Sequence, residues 1–146
     1  MSGLHEHPVQ LRWSDTDVFG HVNHARVLGL LEDARLSMVD STPGAGIILA
    51  RLEIDYLRQV HYRVGEHLTV ATSITRLGRS SIGMRQELTQ DGEVALRADM
   101  VLVAFDYAAD ASVPLTDDQR AHWSRWLVDR PGDGGVAGSI ADGAAG

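Results

Sequence analysis

WSDTDVFGHVNHARVLGLLEDAR, residues 13–35, passes from an acidic loop containing a glycine straight into a helical pattern. Asp15 and Asp17 come first, then Gly20, His21, Asn23 and His24. From there Val27, Leu30, Leu31, Ala34 and Met38 recur three and four residues apart, which is the spacing of one helix face and predicts a helix from Asn23 to about Val39. Asn23 suits the N-cap, because its side-chain oxygen can accept an N–H of the first turn. Asp40-Ser41-Thr42-Pro43-Gly44 then stops the helix. Unpaired N–H groups at a helix start attract negative charge, so an electron-rich oxygen bound there would lie beside an ionised carboxylate. One short loop would carry both a base and a group that polarises a carbonyl, a layout suited to acyl transfer.

Outward from this stretch the pattern changes to strands. Upstream, Val9, Leu11 and Trp13 alternate with Gln10 and Arg12, predicting a half-buried strand from Pro8 to Ser14. Downstream, strands are predicted over Ile47–Tyr56, His67–Thr75, Ser80–Thr89 and Val94–Asp106, with a turn at Leu77-Gly78 and a hairpin signal at Gln90-Asp91-Gly92. Tight turns between consecutive strands favour antiparallel pairing. One strand, one long helix and four more strands make an α+β layout, a five-stranded antiparallel sheet wrapped around one long helix. A short helix is expected after Pro114, with Thr116 and Gln119 at capping-box spacing and Trp123, Trp126 and Leu127 on one face. Residues 1–128 then form a single domain, and 129–146, rich in Gly and Ala, are expected to be a disordered tail. Gly29 within the long helix costs about 1 kcal/mol against alanine, and a close packing contact there would explain it.

Composition narrows the function. A chain of 146 residues with 44% hydrophobic residues suits one soluble domain. No apolar run reaches membrane-span length, and MSGLHEHPVQ lacks the basic and apolar regions of a signal peptide, so a cytoplasmic location is expected. The absence of cysteine excludes disulfides, thiolate metal ligands and a thiol nucleophile. A net charge of -7 with scattered basic residues argues against nucleic acid as a partner.

Asp15-Thr16-Asp17, Gly20-His21-Val22-Asn23, Ala25 and Glu32-Asp33-Ala34-Arg35 together resemble the signature of the hotdog-fold acyl-CoA thioesterases of the 4-hydroxybenzoyl-CoA thioesterase type. The likeness continues through Asp55-Tyr56-Leu57-Arg58, Val60-His61-Tyr62, Gly78 with Ser80-Ser81, and ends near Asp106. It implies a hotdog fold, an acyl-CoA substrate, no cofactor, and an active site at the interface of a homodimer, with pairing into a homotetramer common. It also places the family's catalytic carboxylate at Asp17 and its coenzyme A phosphates near the Gly78 turn, beside Arg76, Arg79, Ser80 and Ser81. Val27 stands where many relatives have an aromatic, and Gln59 where a proline is usual.

Each candidate has a plainer alternative. Asp17 could activate a water or attack the thioester itself; alternatively it only braces its own turn. The His24 backbone N–H is the candidate oxyanion donor, with Gly20 allowing the loop to turn tightly; one such donor is worth about 3 kcal/mol in the transition state. Asn23 is read first as a cap and second as a substrate contact. Asp15 is expected to shape the loop. Arg58 is a further phosphate candidate, and Glu32 with Arg35 an ordinary helical ion pair. No metal is expected, although a hydrolase using Asp15, Asp17, His21 and His24 as ligands is a third reading beside the thioesterase and a non-catalytic acyl-CoA binder.

Overall fold

A computed structural model describes residues 3–39 and 46–129. The expected helix stop at Asp40–Gly44, and the expected tail from residue 130 onward, lie outside the described residues. The chain runs through β1 (His5–Gln10), a single 3-10 turn (Trp13–Asp15), α1 (His24–Leu36), β2 (Gly46–Tyr56), β3 (His67–Leu77), β4 (Ser81–Gln90), β5 (Glu93–Asp106), β6 (Ala111–Ser112) and α2 (Asp117–Ser124). The long strands pair antiparallel in the order β1-β3-β4-β5-β2, and the two-residue β6 adds to β5. This is the hotdog arrangement, with a short sixth strand beyond the five expected.

Hydrophobic period explains the layering. Val27, Leu30, Leu31 and Ala34 of α1 are buried against the inner face of the sheet, where Ile82, Met84 and Leu88 of β4 and Leu96, Met100 and Leu102 of β5 alternate with more exposed residues. Each of these Val, Leu, Ile and Met side chains contributes about 1.5–3 kcal/mol by leaving water. The face also carries buried polar residues. Gln86, fully buried, donates from Nε2 to the Leu31 carbonyl at 3.0 Å and to Thr72 Oγ1 at 3.1 Å, tying α1 to the sheet.

Several expectations need correction. The first strand lies earlier than Pro8–Ser14, because its ladder with β3 covers His5–Gln10 and the chain then leaves the sheet. Trp13 therefore stands in the 3-10 turn and is exposed rather than half-buried. A Cβ built on Gly29 meets nothing within 4 Å, so no packing contact accounts for that glycine. Glu32 and Arg35 form no ion pair; Arg35 is half-buried and directs Nη1 at Met100 Sδ, 3.6 Å away. Burial lowers the Arg35 pKa, and Glu32 offsets that only in part. Thr116 and Gln119 do form the capping box of α2, and Trp123 is buried. Leu127 is beyond the helix, however: Ile74 N–H donates to Trp126 O and Val128 N–H to Ile74 O, so this segment runs beside β3 as a parallel bridge. No described helix is long and apolar enough to cross a membrane.

Candidate active site

The loop between the 3-10 turn and α1 is held largely by its own backbone. Asp17 N–H donates to His21 O at 2.9 Å, Gly20 N–H to Asp17 O at 3.1 Å, and Asn23 N–H to Asp15 O at 2.8 Å. Gly20 takes φ +78°, the left-handed conformation that glycine adopts without steric cost. The two aspartates separate completely. Asp15 is 1% exposed and points inward, where Oδ2 accepts the Arg12 backbone N–H at 2.8 Å and Oδ1 accepts the Arg12 guanidinium at 3.1 Å. Burial pushes its carboxyl up, but the Arg12 hydrogen bonds and charge outweigh it and hold Asp15 below the usual carboxylate range. It shapes the loop, as expected.

Asp17 faces a cleft of about 400 Å³. Its Oδ1 accepts Phe19 N–H at 2.9 Å and His21 N–H at 3.3 Å, and among the described residues nothing donates to Oδ2. One oxygen braces the turn while the other accepts no hydrogen bond among the described residues. His24, the first residue of α1, lines the same cleft, and its backbone N–H has no acceptor among the described residues. Asn23 caps the helix by accepting Ala25 N–H at 2.9 Å, so its oxygen is already used and the cap reading holds. An acidic side chain and the N-terminal end of a 13-residue helix thus share one cleft.

Apolar side chains make up much of the remaining wall, interrupted by Arg58 and Gln59. Val22 and Val27 come from the loop and helix, Leu96 from β5, and Tyr56, Leu57 and Val60 from the end of β2 and the segment after it. A bulge opens the β4–β5 ladder at Ala95, since Thr89 pairs with Val94 and Leu88 with Leu96. The freed Ala95 carbonyl accepts both Leu57 N–H and Arg58 N–H, at 2.8 and 2.9 Å, and so anchors this wall. Arg58 stands on the rim, ion-paired with Glu93.

The other candidates fall elsewhere. Arg76 donates to Ser81 Oγ at 3.2 Å and lines a separate depression with Arg51 and Asp99, one that shares no residue with the Asp17 cleft. Arg79 and Ser80 offer their carbonyls to Leu115 and Ala104 within the same turn. One protomer therefore brings Asp17, His24 and Arg58 together and leaves Arg76, Arg79, Ser80 and Ser81 apart. With Asp15 turned to Arg12, the four-ligand set of the metal reading does not converge, and no group of three or more His, Asp or Glu placed to hold a metal occurs among the described residues. Sequence reading assigned no role to Tyr56, Leu57, Val60 and Leu96. Tyr56 and Leu96 become neighbours only through the β2–β5 register.

A family model described as the thioesterase-like superfamily matches residues 11–123. The uncharacterized protein YsmA of Bacillus subtilis is 27% identical over 119 residues, 77% of this chain and 80% of that protein. A predicted thioesterase from Bacillus stearothermophilus superposes with a TM-score of 0.79 at 27% identity, over 88% of this chain and 99% of that one. A thioesterase from Thermus thermophilus, solved with coenzyme A and zinc, gives 0.72 at 31% identity, over 84% and 92%.

Proposed function

The chain belongs to the thioesterase-like superfamily, and from that premise we propose that it hydrolyses an acyl-CoA thioester to a free acid and coenzyme A, as an enzyme of the 4-hydroxybenzoyl-CoA thioesterase type. The observation that carries this is that Asp17 and His24 line one cleft, and that among the described residues one Asp17 oxygen and the His24 backbone amide have no hydrogen-bond partner. The thioester carbonyl oxygen lies against the His24 N–H, which stabilises the negative charge formed on addition. Asp17 either takes a proton from the attacking water or attacks the carbonyl, breaking the C–S bond and releasing coenzyme A as its thiolate, to form a mixed anhydride that water then opens to the free acid. The acyl group packs on Val22, Val27, Val60 and Leu96.

The coenzyme A phosphates need cations, and among the described residues lining the cleft Arg58 is the one arginine. The far edge of β2, 11 residues long and unpaired among the described residues, is a template for a second copy. In our reading a homodimer, or a homotetramer built from it, forms there, and the partner's Gly78 turn supplies phosphate contacts.

A binder without turnover has one observation in its favour: Asp17 already does structural work through Oδ1. Release of free thiol from a panel of acyl-CoAs separates the two. We expect release with at least one member; thermal stabilisation by acyl-CoA with no thiol release across the panel leaves only the binder.

A further inference from the structure

The segment 57–66 that walls the cleft belongs to no strand, so its backbone polar groups must be satisfied some other way. Gln90, the last residue of β4 and only 8% exposed, does this at His61. Its Oε1 accepts His61 N–H at 3.0 Å, and its Nε2 donates to His61 O at 2.8 Å and to Glu66 Oε1 at 3.2 Å. A single carboxamide thus pairs with both sides of one residue, as a neighbouring strand would. His61 in turn bridges His21 in antiparallel fashion, with the two rings edge to face at 5.2 Å, and Val22 N–H donates to Val60 O at 2.9 Å. His21 completes the path, because its N–H reaches Asp17 Oδ1 and its carbonyl accepts the Asp17 N–H.

We propose that Gln90 is a positioning residue for Asp17, setting the carboxylate through the His61–His21 bridge from outside the cleft. The turnover part of this inference rests on the thioesterase reading; the mechanical link does not. Gln90 lines an adjoining depression of about 340 Å³ that shares Arg58 and Gln59 with the cleft, so loss of its grip would be felt along the whole wall. Asp91 adds a second hold through Arg63, but that pair is exposed and weaker.

Two variants test it. Gln90→Leu removes every hydrogen bond of the clamp; we expect faster amide exchange across residues 17–22 without ligand, and a kcat lowered about tenfold or more with little change in KM. Gln90→Glu keeps the acceptor for His61 N–H but turns a carboxylate oxygen toward the His61 carbonyl and Glu66. Those two acceptors raise the pKa of the new carboxyl, and Asp91 and Glu93 act in the same sense against Arg58 and Arg63. Its kcat relative to wild type should therefore rise as pH falls from about 8 to about 5.5, when protonation restores a donor. Unchanged exchange across 17–22 in Gln90→Leu, a flat ratio for Gln90→Glu, or faster exchange with undiminished kcat in an active enzyme overturns the proposal. If Gln90→Leu does not fold, the Gln90→Glu ratio decides alone. A wild type that releases no thiol removes the thioesterase reading, and exchange at 17–22 then decides the mechanical link.

Discussion

The Arg12–Asp15 corner and the Asp17–His21 tip are separated by a single residue, yet the same side-chain chemistry serves opposite ends in them. At the corner both carboxylate oxygens are consumed inside the protein, and the side chain is out of water. At the tip one oxygen is consumed and the other accepts no hydrogen bond among the described residues, in a side chain that lines a cleft, and Val18 and Phe19 beside it are 93% and 79% exposed. The corner holds the loop in place and the tip holds an unfinished coordination. A buried acid with all its partners contributes stability, whereas chemistry needs an acid with one partner missing.

That contrast breaks most sharply at Asp17. In Asp17→Asn the remaining oxygen still accepts the Phe19 and His21 amides, so the fold should be kept while thioester turnover falls at least about a hundredfold; near-normal turnover in a thiol-release assay would remove the tip from the chemistry. His24→Pro is nearly as severe. Proline is well tolerated at the first helical position, and Asn23 before it is already extended (φ -64°, ψ 136°), so the substitution deletes the N–H with the helix intact. We expect kcat to drop about a hundredfold with an unchanged circular dichroism spectrum.

The corner should respond in stability instead. Asp15→Ala leaves the Arg12 N–H without its acceptor and should cost about 2 kcal/mol in urea unfolding. Because the folded pKa of Asp15 lies below its unfolded value, its contribution is fully present above the unfolded value of about 3.9 and fades as pH falls through the folded one. Wild type should therefore lose stability below about pH 4 more steeply than Asp15→Ala; parallel acid profiles for the two would contradict the assignment. The smallest effect is a gain. Gly29→Ala, with open space around the added methyl, should stabilise α1 by about 0.5–1 kcal/mol and leave turnover unchanged.

The sequence by itself determined whatever depends on neighbours along the chain. Asn23 as cap, Gly20 as turn, the buried face Val27–Leu30–Leu31–Ala34, the capping box of α2 and the antiparallel order of elements all follow from local hydrogen bonding and periodicity, and the structure has them. The loop-shaping role of Asp15 was legible as well, but only the tertiary structure decided that it is buried against Arg12 while Asp17 lines the cleft. The same holds for the Ala95 bulge that anchors Leu57 and Arg58, and for Gln86 and Gln90, which in sequence are a strand residue and a turn residue. Gln90 and His61 are 29 residues apart, and nothing local tells a carboxamide which distant peptide it will meet. Strand register brings such pairs together, and register is a property of the folded sheet as a whole.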